Sequence, residues 1–129
     1  MKSYITVALL FIAVTSFSQT SKPAPWAELK AFHNLMSPSF HGAEDGNFAP
    51  LKLKVDSLSI VAKKWLASPI PSSYKPAETK AVLKTLVKQT KQLSKAVKKQ
   101  QPDATLLQLI TAAHDSFHKV VGECRKEEE

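Results

Sequence analysis

Apolar residues recur along this chain at steps of three and four, and no stretch alternates as a half-buried strand does. Proline supplies the punctuation. Pro23 and Pro25 precede a first periodic segment in which Trp26, Leu29, Phe32 and Met36 recur at helical spacing. Pro38 predicts that this helix ends near residues 35–37, because the residue before a proline is pushed out of the helical region. Residues 37–47, SPSFHGAEDGN, then read as a loop. Asn47 is a candidate cap for a second helix, with Pro50 tolerated in its first turn. Leu51, Val55, Leu58, Ala62 and Trp65 form one face of that helix, and residues 68–73, SPIPSS, form a linker.

Pro76 opens a third helix with an apolar face of Leu83, Leu86, Thr90, Leu93 and Val97, flanked by Val82 and Val87. Its other face carries Lys80, Lys84, Lys88, Lys91, Lys95 and Lys98, a single stripe at steps of three and four. Gln101-Pro102-Asp103 breaks the chain and starts a fourth helix. Its buried seam runs through Leu106, Ile110, Ala113, Phe117, Val120 or Val121, and Cys124. The pattern predicts an all-α protein, an up-down-up-down four-helix bundle without internal repeats.

The first residues belong to none of these elements. Lys2, the apolar run from Ile5 to Val14, and the small residues around Ser16-Phe17-Ser18 match a secretory signal peptide. The run is shorter than the roughly 20 residues a spanning helix needs. Cleavage is expected after Ser18, leaving residues 19–129 as one domain. No cysteine follows the apolar run, so lipoprotein modification is not expected. Nothing later is apolar enough to span a bilayer. The mature protein is thus expected to be soluble and periplasmic or secreted.

Export changes how the charge is read. The formal net charge is +7, with Lys2 of the leader contributing one unit. A basic balance can indicate nucleic acid, but an exported protein meets anionic surfaces instead. The lysine stripe is then either a solvated face or a docking surface for anionic lipid or an acidic protein. Cys124 is the single cysteine and has no intramolecular disulfide partner. It is inert when buried, a ligand, or available to another chain.

The four histidines fall in two distant groups, His33 with His41 and His114 with His118. In the predicted bundle the first and last helices are antiparallel neighbours. Pairing Trp26 with about Lys126 sets His33 opposite Lys119, beside His118, and Met36 opposite Ser116. His41 lies just beyond the first helix, within reach of the same level. His114 and His118 are four apart, so both imidazoles project from one helix face. Imidazole suits zinc and copper, and the thioether of Met36 would favour copper. Glu44 and Asp45 can complete a hard site or orient imidazoles by hydrogen bonds. Asp115 points about 100° away from His114 and is a weaker candidate. The competing account is four unrelated histidines on amphipathic edges. Phe32, Phe40 and Phe117 read as core residues that would keep such a site dry.

The layout places a methionine on the first helix and a histidine late on the fourth helix of a small exported bundle. In this it is similar to the cytochrome b562 and cytochrome c′ fold. FHNLMSPSFHGAEDGN and HDSFHKVVGECR also resemble a group of small secreted bacterial helical proteins of no established activity. The cytochrome resemblance implies non-covalent haem b, with Met36 and either His114 or His118 as axial ligands. The CxxCH attachment motif of the c′ proteins is absent from the sequence, and four histidines exceed what one haem needs.

Three functions follow. The first is an extracytoplasmic, non-enzymatic metal-binding bundle that buffers, carries or senses zinc or copper. Its ligands would be His33, His41, His114 and His118, with Met36 or Glu44 supplementary. The second is a b-type haem protein for electron transfer or gas binding. The third is a structural or chaperone-like interaction protein using the lysine face. No nucleophile elbow, glycine-rich phosphate loop or spaced carboxylate pair points to an enzyme. An open coordination position would still permit hydrolytic or redox chemistry at a metal.

Overall fold

The computed structural model describes residues 26–126, and the expected leader over residues 1–18 lies outside them. Four α-helices follow one another: α1 (Ala27–Glu44), α2 (Ala49–Ala67), α3 (Pro76–Lys98) and α4 (Asp103–Val121). Among the described residues there is no strand, only an isolated antiparallel bridge between Tyr74 and Arg125. Each helix packs on the next in sequence, and α4 returns to pack on α1. None of these helices is long and apolar enough to cross a membrane.

The apolar faces read from the sequence are the faces the bundle buries. Phe32, Met36, Trp65, Leu86, Leu93, Ile110, Ala113 and Val120 are fully enclosed. The rings of Phe32, Trp65 and Phe117 form a triangle with centroid separations of 5.4, 5.9 and 6.0 Å. Burial of that much aromatic area dominates the local energetics, at about 1.5–3 kcal/mol for each large apolar side chain. Trp26 closes one end of the bundle. Its indole N–H donates to Ser68 Oγ at 3.0 Å, and its ring meets Trp65 and Tyr74.

The first helix is longer than its proline predicts. It runs through Pro38 to Glu44, so the expected loop over residues 37–47 shrinks to the few residues between Glu44 and Ala49. Pro38 removes one N–H and crowds the carbonyl one turn back, a local cost of about 3 kcal/mol. The residues beyond it outweigh that cost, because Ser39, Phe40 and Ala43 are all buried. Ser39 Oγ donates to Leu35 O at 2.7 Å and so uses a carbonyl beside the break.

What ends α1 is Gly46, at φ +80°. The N–H of Gly46 donates to Ala43 O at 3.1 Å, and that of Asn47 to Gly42 O at 2.7 Å. These two bonds form the Schellman closure, which needs a residue in the left-handed region. Asn47 does help start α2, since its Oδ1 accepts the Ala49 N–H at 3.2 Å.

The last turn differs too. Cys124 is not on the α4 seam, because the helix stops at Val121. The chain turns instead and hooks onto the α2–α3 linker. The Lys75 N–H donates to Cys124 O at 2.7 Å, and the Lys126 N–H to Ser73 O at 2.8 Å. Cys124 is buried by this hook.

Candidate metal centre

Because α1 continues past Pro38, His41 and Glu44 stand on its last turns rather than in a loop. This brings them alongside the middle of α4. The α1–α4 register is fixed by two ring contacts. His33 lies flat on Phe117, with centroids 5.2 Å apart and planes at 5°. Phe40 lies flat on His114, with centroids 3.7 Å apart and planes at 11°. Rising numbers on α1 meet falling numbers on α4, so the helices are antiparallel. The register agrees with the sequence expectation within two residues.

Two of the candidate ligands, both on α4, meet directly. His114 Nε2 and His118 Nε2 lie 3.1 Å apart, their rings nearly perpendicular. In neutral rings one Nε2–H donates to the other ring's lone pair. An ion held by both nitrogens would replace that proton and sit off the line between them, so both rings must turn to converge on it. With metal–nitrogen bonds of about 2.05 Å, two cis ligands have nitrogens about 2.9 Å apart at a right angle and about 3.3 Å apart at the tetrahedral angle. The observed separation falls between these values. Burial, and next the charge of His118, hold the His114 imidazole below its ordinary pKa, against the opposing pull of Asp115. A ring kept neutral keeps its lone pair for a metal.

His41 stands beside this pair. Its ring centroid is 6.4 Å from that of His114, and its Nδ1 lies 3.3 Å from Glu44 Oε2. A carboxylate accepting the Nδ1–H leaves Nε2 as the free donor atom and aims the ring, as in many carboxylate–histidine–metal arrangements. Among the described residues no three His, Cys, Asp or Glu side chains are grouped so that they could hold one ion. The His41 side chain is 62% exposed, so its ring has room to turn.

The remaining candidates stand around the pair: Phe117, on which His33 rests, also meets the His118 ring, with centroids 5.6 Å apart. His33 is exposed, and its ring rests on Phe117. Met36 is fully buried in the core. The axial pair that the cytochrome resemblance implies is therefore divided between interior and surface, since His118 is exposed and His114 half-buried. Axial ligands must face each other across one macrocycle, and this division does not suit that. Asp45 and Asp115 are exposed. Phe40 and Phe117, expected as core, are buried, and they form the floor on which His114 and His33 lie. Glu44 is expected from the sequence to orient an imidazole from a loop; it does meet His41, but from one turn along the same helix, because α1 continues past Pro38. Compared with protein-family models, with curated proteins and with solved structures, the chain matches none.

Proposed function

We propose that this is an exported helical bundle that binds zinc or copper at the α1–α4 surface, as a buffer, carrier or sensor rather than an enzyme. His114 and His118 supply two cis imidazoles. His41 turns in as a third, held by Glu44, and water fills the remaining positions. The carrying observation is the 3.1 Å separation of the two Nε2 atoms, a spacing that fits two ligands of one ion. The leader-like residues 2–18 support a periplasmic or secreted location, where such an ion would be met.

The test is calorimetric titration of residues 19–129 with zinc and with copper. His118→Ala should lower affinity at least about tenfold, or about 1.4 kcal/mol. His33→Ala should change it little, because that ring rests on Phe117. Metal should raise the melting temperature of the wild type and raise it less in His118→Ala. Affinity should also drop between about pH 7.5 and about pH 5.5, where protons compete for the imidazoles. Equal affinity in the wild type and His118→Ala would reject the site.

A further inference from the structure

The α2–α3 seam lies across the bundle from the histidines and carries a different chemistry. All six lysines of the α3 stripe are exposed. Three of them, Lys91, Lys95 and Lys98, line an open depression of about 470 Å³ together with Lys63 of α2. The one carboxylate there, Asp56, is already engaged. It accepts a bond from Ser94 Oγ at 2.7 Å and lies 3.8 Å from Lys98 Nζ. Four ammonium groups thus face the opening against a single carboxylate that is partly compensated.

Charge is not the only unusual feature of this face. Among the described residues, the exposed large hydrophobic side chains are Leu53 and Ile60, at 82% and 54% exposure. Both are on α2, and Ile60 lines the same depression. They are seven positions apart, so they stand about 10 Å apart along nearly one line of the helix. Lys52, Lys63 and Lys64 are exposed on the same helix.

We propose that the α2–α3 face docks on a bilayer rich in anionic phospholipid, with Leu53 and Ile60 entering the headgroup layer and the lysines meeting the phosphates. Lysine suits this role, since its long stem lets the ammonium reach outward while the helix lies against the interface. An acidic protein partner fits less well. Protein interfaces concentrate their energy in Trp, Tyr and Arg seated in pockets. Here an exposed Ile60 stands among the lysines that line the depression, with Leu53 exposed two turns earlier on α2. The surface is independent of the metal reading, because none of its residues belongs to the histidine site.

Vesicle co-sedimentation tests the proposal. Residues 19–129 hold all four helices and omit the apolar run at 5–14, which would itself partition into lipid. They should bind phosphatidylcholine vesicles containing about a third phosphatidylglycerol and leave pure phosphatidylcholine vesicles free. Binding should fall at least about tenfold between about 0.1 M and about 0.5 M salt. Lys91→Glu/Lys95→Glu/Lys98→Glu should weaken it at least about tenfold. Leu53→Ser/Ile60→Ser, which leaves the charge unchanged, should weaken it by about tenfold. Both multiple variants should keep the wild-type circular dichroism spectrum and zinc affinity, since none of the changed residues is buried. Undiminished binding by Leu53→Ser/Ile60→Ser would overturn docking by insertion. Capture by polyglutamate without binding to anionic vesicles would overturn the lipid assignment in favour of an acidic protein.

Discussion

At the residue scale the molecule turns on His114. Its ring is sandwiched functionally between a hydrophobic support, Phe40, and a second imidazole, His118. Burial disfavours its protonation most, and the charge of His118 next. The consequence for stability has a definite sign. In the unfolded chain His114 titrates at its ordinary value of 6.5, and in the fold it titrates lower. Well above 6.5 both states are neutral and His114 contributes no pH dependence. As pH falls below that value the unfolded chain takes up the proton first, and stability is lost until the folded pKa is passed. Thermal unfolding with chelator present should therefore show a melting temperature that falls on acidification from about pH 6.5. His114→Gln should flatten part of that fall. A profile identical to that of the wild type would mean that His114 is not the residue responsible.

Helix ends decide the element scale, and two of them use the same closure. After α1 the left-handed position is Gly46, at no steric cost. After α3 it is Gln100, at φ 53°. There the N–H of Gln100 donates to Val97 O, and that of Gln101 to Ala96 O, both at 3.0 Å. A side chain in the left-handed region costs roughly 1–2 kcal/mol, and the greater freedom of glycine in the unfolded chain returns part of that. Gln100→Gly should thus stabilise the protein by about 1 kcal/mol, or about 4–8 °C in melting temperature. A lower melting temperature would show that the Gln100 side chain makes a contribution beyond its backbone. The same reasoning explains the length of α1. Pro38 weakens a helix from within, but the two bonds at Gly46 and the burial of Phe40 and Ala43 hold the far half in place.

Across the whole molecule, the C-terminal hook ties the end of α4 to the linker between α2 and α3. It contributes two inter-segment backbone hydrogen bonds, from Lys75 to Cys124 and from Lys126 to Ser73, and it buries Cys124. Backbone bonds of this kind are worth about 0.5–1.5 kcal/mol each. A chain stopped after Gly122 should remain helical but lose about 2 kcal/mol, seen as a melting temperature lower by roughly 10 °C. Amide exchange at Lys75 should quicken most, since its partner is gone. An unchanged melting temperature would show that the hook follows the fold without supporting it. The buried thiol also makes Cys124 a poor link to a second chain while the hook is closed.

Four helices, their buried faces and an exposed lysine stripe were all legible in the residues, because each depends on a local period of about 3.6. Phe117 could be assigned to the core on the same grounds, whereas Phe40, in the expected loop, is marked as core only by its apolar ring. The DGN of residues 45–47 held the true end of α1, a glycine where a Schellman closure needs one, but Pro38 is the louder signal and points to an earlier stop. Only the packed structure decides between them, since burial of Ser39, Phe40 and Ala43 is a property of the bundle rather than of the segment. The candidate site divides the same way. The spacing of His114 and His118 is a consequence of one helix and could be read directly. The placement of His41 beside His114, the resting of His33 on Phe117 and the enclosure of Met36 depend on how two helices 70 and more residues apart in sequence turn toward each other. Local periodicity tells which side of a helix faces inward, but the rotation that selects one neighbour's ring over another's is set by side-chain packing across the interface.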